Sequence, residues 1–165
     1  MPGFRVILGL TAALAACTPG GPAPAARPDH HPPPVSQPAA PESIYHAQMS
    51  QYPTGEETVL RDRAAWEAAW AQLNNGMVAP PLPAVDFTTS SVVLVAIGPR
   101  SSGGYDVRVT NVRRDGPDTV VDYTVTEPGP GCMTAAVMTA PVDVVRVPRP
   151  DGVVRFARRT VRRPC

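Results

Sequence analysis

The chain has 165 residues, 43% hydrophobic and 18% charged, which is enough apolar material for one modest core. Fifteen basic residues, all arginine, face fourteen acidic ones, and one of the fifteen, Arg5, lies in a segment expected to be removed, so the remainder is near neutral. That balance excludes the basic stripe of a nucleic-acid binder, and beside 22 prolines the arginine-only usage reads as GC-rich coding bias.

The first elements are targeting signals. Arg5 gives a positive start, Val6 to Ala13 a short apolar run, and Leu14-Ala15-Ala16-Cys17 small residues before a cysteine. The run is well short of the roughly 18 to 20 residues of a spanning helix, so residues 1–16 read as a signal peptide that is cut off rather than folded. Leu-Ala-Ala-Cys resembles the lipobox of bacterial lipoproteins, which implies diacylglycerol on the Cys17 thiol and, after cleavage, an acyl chain such as palmitate on its amine. Two or three chains anchor a protein where a single one does so only marginally. Thr18 stands where, in that family, an aspartate favours retention in the inner membrane. The resemblance therefore implies an outer-membrane anchor, facing the periplasm or the cell surface.

Residues 17–42 read as a tether. Nine prolines fall between Pro19 and Pro41, without apolar periodicity. Proline fixes φ and removes a backbone donor, so the segment is expected to be extended, at about 3.1 Å per residue and with a reach on the order of 70 Å. His30 and His31 lie within it. An adjacent pair without further ligands does not make a metal site, and no metal or cofactor is expected.

A globular domain is expected over residues 43–165. Ile44 to Ser50 and Glu57 to Leu60 read as a strand pair about the turn Pro53-Thr54-Gly55. A helix follows, capped by Asp62 and rich in strong helix formers from Ala64 to Leu73, with Trp66, Trp70 and Leu73 on one face. Ser91 to Gly98 is a continuous apolar run, the pattern of a central strand covered on both faces. From Tyr105 to Thr110 the period is two, with Tyr105, Val107 and Val109 inward. Asp115-Gly116 turns the chain into Thr119 to Thr126, where Val121, Tyr123 and Val125 alternate with polar neighbours. Val142 to Val147 and Val153 to Phe156 read as a hairpin about Asp151-Gly152. The expected class is α+β, an antiparallel meander of about five to seven strands with one amphipathic helix packed on it.

With Cys17 assigned to lipid, Cys132 and Cys165 remain as an even pair in an oxidising compartment, and a disulfide between them is expected. It would close a loop of about 33 residues, worth roughly 3.5 to 4 kcal/mol by chain entropy. A catalytic thiol would need a base, and the domain offers only His46, in no recognisable motif.

The sequence contains no GxSxG elbow, phosphate-cradling glycine loop, HExxH or CxxC. Asp86 reads as a turn or cap residue. An enzyme is not expected, and no catalytic residue is named. Two surfaces suit a partner: the loop carrying Arg100, Ser102, Gly103, Gly104 and Tyr105, and the group Arg155, Arg158, Arg159, Arg162 and Arg163, which either deters strand addition at an edge or meets an acidic partner or anionic lipid.

Val85-Asp86-Phe87, Val92 to Gly98, Ser102-Gly103-Gly104-Tyr105, Glu127-Pro128-Gly129-Pro130-Gly131-Cys132, Thr139-Ala140-Pro141 and Val144 to Pro148 together resemble the PrcB C-terminal family of protease-complex subunits. The resemblance runs from about Arg61 to Phe156. It implies a non-catalytic, envelope-anchored lipoprotein that binds or stabilises an envelope protein such as a protease complex, and it carries no catalytic residue. The alternative expectation is a periplasmic ligand or cell-wall binder with a cleft beside Trp66 and Trp70.

Overall fold

The computed structural model describes residues 41–165. The expected signal peptide, Cys17, the histidine pair and nearly all of the tether lie outside the described residues. Eight elements follow in order: β1 (Glu42–Ala47), β2 (Gly55–Leu60), α1 (Arg63–Leu73), β3 (Ser90–Ile97), β4 (Asp106–Asp115), β5 (Asp118–Pro128), β6 (Val142–Pro148) and β7 (Val154–Arg163). Seven strands and one helix make the fold α+β, as expected.

The strands form two sheets, one ordered β1-β6-β3-β2 and one ordered β4-β5-β7. Every pairing in the first is antiparallel. In the second, β4 and β5 form a hairpin and β7 lies parallel to β5. The apolar run of β3 explains the layering. Val92, Leu94 and Ala96 pack against Trp66, Trp70 and Leu73 of α1, while Val93, Val95 and Ile97 pack against Val107, Val121 and Val125 of the second sheet. Alternation along one fully buried strand thus serves two cores.

The helix begins where the sequence places it, with the Asp62 carboxylate accepting the Ala65 N–H at 2.8 Å. Trp66, Trp70 and Leu73 are buried, as their spacing requires. Both indole N–H groups donate to proline carbonyls, Trp66 to Pro83 and Trp70 to Pro80, each at 3.1 Å. The proline-rich segment after the helix therefore satisfies the tryptophans, whose side chains are buried. Asp86 is a turn residue: its carboxylate accepts from the Thr88 N–H and from the hydroxyls of Thr88 and Thr89. Those bonds hold its pKa below the ordinary value.

Two expected pairings are not formed. The segments now seen as β1 and β2 do not pair with each other, because β6 and β3 stand between them. Likewise β6 and β7 are not a hairpin. Both edges of β6 are taken by β1 and β3, and Pro148 and Pro150 carry the chain across to the other sheet, where Thr119 N donates to Val153 O at 2.9 Å. Short links suggested neighbours, but occupied edges overrule them.

Candidate partner-binding surface

The site residues named from sequence lie on the loop from β3 to β4. This loop leaves β3 through Gly98, whose φ is +73° and where a Cβ would come within 2.8 Å of the Gly55 N. It does not stand free. Arg100 N donates to Thr139 O at 2.7 Å and Thr139 N to Arg100 O at 2.9 Å, Gly103 N donates to Ala135 O at 2.9 Å, and the Thr139 hydroxyl donates to Ser102 O at 3.0 Å. Gly104, at φ +91°, lies where a Cβ would meet Pro128 and Thr134 at 3.2 Å. The Arg100 guanidinium sits 5.6 Å from the centre of the Tyr105 ring, which rests half-buried on the inter-sheet core.

Of the five named residues, Arg100 and Tyr105 thus come together through their side chains. Ser102 and Gly103 act through their backbones, and Gly104 through its small size. Arg100, Ser102, Gly103 and Gly104 zip the loop to the segment that follows β5, while Tyr105 packs on the inter-sheet core. Three pieces of sequence that looked like separate signatures, around Gly103, Pro128 and Thr139, meet in one double strap.

The second half of that strap supplies the open side chains. Met133 is fully exposed, and Val137, Met138 and Met49 are exposed as well; Met49 bridges Ala140 through its backbone. Large apolar side chains open to water along one short segment are candidates for a contact surface, and methionine adapts its shape to what it meets. Periodicity reasoning missed them because the segment is neither helix nor strand. The strap is also tied down: Gly129 N donates to Arg163 O at 3.0 Å, and the Cα atoms of Cys132 and Cys165 are 5.4 Å apart, within disulfide distance. A shallow cavity of about 320 Å³ lies between Gly104, Pro128, Met133, Arg163 and the two cysteines.

Between β1, β6 and β4 lies a charged cluster of which sequence reasoning had noted only His46. Asp143 on β6 is 1% exposed. Its carboxylate accepts the Val109 N–H from β4 at 2.7 Å and the Ser43 hydroxyl at 3.4 Å, with His46 Nδ1 at 3.5 Å and Arg108 at 3.9 Å. His46, directly opposite Asp143 in the β1–β6 register, reaches Asp106 on β4 through Nε2 at 3.1 Å. Burial pushes the Asp143 carboxyl above the ordinary carboxylate value, while the Val109 N–H, His46, Arg108 and Ser43 oppose that rise. The Ser43 hydroxyl bonds to Asp143 and not to His46, so the cluster is no serine–histidine pair. It ties β1 and β6 of one sheet to β4 of the other. One signal was legible: Asp143 falls on the same face as Val145 and Val147, and a charge at a core position needs partners. Among the described residues, no group of three or more His, Cys, Asp or Glu is arranged to hold a metal.

The fold and surface define a small α+β domain of three layers with a double-strapped rim. Residues 91–148 match the family model described as PrcB C-terminal, and that stretch is PrcB-like, as the resemblance implied. The match spans β3 to β6, including all three pieces of the strap, and leaves out the tryptophan helix. No curated protein and no solved structure matches the chain.

Proposed function

We propose that this protein is a non-catalytic interaction subunit, held at the cell envelope by lipid on Cys17, that binds and steadies a partner protein of a protease complex. The observation that carries this reading is the PrcB C-terminal match over the segment that builds the strap. The strap narrows where contact is made. Its glycines, Thr139 and the Arg100 backbone are used internally, so the groups left for a partner are Met133, Val137 and Met138, with Arg100 at their border. The cysteine pair, at disulfide distance, fits an oxidising compartment.

The test is crosslinking in native membranes with the full-length chain, comparing wild type with a Met133→Asp/Met138→Asp double variant. Both positions are exposed, so stability should change by no more than about 0.5 kcal/mol at each. A protease-complex component should crosslink to wild type and be lost from the variant. Recovery of no protein would overturn the interaction reading, and equal recovery with the variant would overturn the assignment of the surface. Cys17→Ser should release the protein from membranes, and acyl chains on residue 17 should be visible by mass spectrometry of wild type; a Cys17→Ser chain still sedimenting with membranes would overturn the anchor.

A further inference from the structure

The free edges of the two sheets are not equivalent. The pairing of β1 is bulged between Ser43 and Tyr45, and that of β4 between Val109 and Asn111. The third edge strand, β2, is short and carries Glu56 and Glu57. By contrast β7 runs ten residues in unbroken register with β5, and no backbone partner occupies its other edge among the described residues.

Two hydrogen bonds fix which groups face outward. Val153 O accepts from Thr119 N, and Arg163 O accepts from Gly129 N, so the odd-numbered positions of this regular strand turn their backbone groups toward β5. The N–H and C=O groups of Val154, Phe156, Arg158, Thr160 and Arg162 then face away, open to pairing. Charge along the edge is one-sided. Arg155 is matched by Asp115 and Asp118, and Arg158 by Glu127, but no carboxylate lies within ion-pair distance of Arg159, Arg162 or Arg163 among the described residues. Arginines on an edge repel neutral or basic strands, whereas toward an acidic strand the same charges attract.

From this we infer that β7 is a docking edge for an acidic, extended polypeptide segment, which adds as a fourth strand to the sheet β4-β5-β7. Main-chain hydrogen bonds to the even-numbered residues supply the register, and the three unmatched arginines supply the selection. The edge is ordered in advance, since β7 is fixed along its inner side by β5 and at its end by the Cys132–Cys165 contact, which lowers the entropy cost of binding. Arg159 and Arg163 share one face and Arg162 lies on the other, so the segment should carry acidic residues on both of its faces. This site deepens the interaction reading and rests on it only in taking the ligand to be protein; it adjoins the methionine surface at Arg163, which lines one cavity with Met133.

The test uses the mature protein and a labelled peptide of about ten residues, the length of β7, alternating Glu or Asp with Val and Thr. It should bind, and binding should fall at least about tenfold, equivalent to ~1.4 kcal/mol, when Arg159, Arg162 and Arg163 are replaced by Glu. Thr160→Pro removes an outward N–H that the β5 ladder does not use, so it should leave the fold intact and weaken the peptide. A peptide N-methylated on alternate residues along the pairing edge gives the same readout with unaltered protein. Equal binding by that peptide would overturn strand addition, as would binding of vesicles containing anionic lipid with no binding of the peptide. A Met138→Asp variant, which leaves the cavity between Met133 and Arg163 unaltered, should bind the peptide normally. Loss of protease crosslinking with peptide binding kept, or the reverse, then shows which of the two readings has failed.

Discussion

The two sheets share one core and differ in what they leave open. The four-stranded sheet is covered on both faces, by α1 on one side and the second sheet on the other, and its central strand β3 is almost wholly buried. The three-stranded sheet is covered on one face, and its edge strand β7 is mostly exposed. Stability is concentrated in the first, and the surfaces proposed for recognition lie on the second and on the strap. The same division explains why the longest apolar run in the domain and its densest arginine group lie on strands in different sheets.

Substitutions should follow this division. The largest loss is expected from Trp66→Ala, which empties the helix layer: about 3 to 5 kcal/mol, read by denaturant unfolding. A loss below ~1 kcal/mol would mean that the helix layer does not carry the fold. Next comes removal of the cysteine pair by Cys132→Ser/Cys165→Ser, expected to cost about 2 to 4 kcal/mol. Its signature is local, with faster hydrogen exchange at the end of β7 and little change in β3. Uniform acceleration in both sheets would erase the contrast.

The seam cluster comes third. Asp143→Ala strands the Val109 N–H and should cost about 1 to 3 kcal/mol, whereas Asp143→Asn keeps an acceptor and should cost less. The pH dependence has a defined sign. The Asp143 pKa is raised in the folded state, so folded protein holds that proton more tightly than unfolded protein does. Its contribution is full below the ordinary carboxylate value and is lost as pH rises through the raised folded value. The stability difference between wild type and Asp143→Asn should therefore move in the variant's favour over that rise and then level off; movement the other way would show that His46 and Arg108 outweigh burial. Smallest is Asp62→Ala, which removes the helix cap at a cost of about 1 kcal/mol, measurable as a shift of the thermal midpoint.

Much of the covered half was legible in the sequence. The spacing of Trp66, Trp70 and Leu73, the cap at Asp62 and the continuous run of β3 are local patterns, and each survives in the structure. Strand pairing was not legible, because it depends on which edges are already occupied: β1 finds β6 and β7 finds β5, each across a long stretch of sequence. His46 was visible only as an isolated histidine, since its place opposite Asp143 arises after a bulge between Ser43 and Tyr45. The five loop residues were picked out as a candidate partner surface, but the backbone bonds of Arg100, Ser102 and Gly103 to the 128–141 strap need three dimensions. Met133 and Met138 lie in a segment with no period to read.

The β1–β6 pairing also sets an order of assembly. Glu42 and Arg146 are joined by an ion pair across 104 residues of sequence, and between them lie the helix, the whole β4–β5 hairpin and the strap. The first strand of the domain therefore cannot find its partner until nearly all the rest of the chain is available. Contacts of such long range slow folding toward the millisecond-to-second regime. A chain delivered from its N-terminus would hold β1 unpaired throughout, and β3 would have β2 as its only sheet neighbour until the sixth strand arrives.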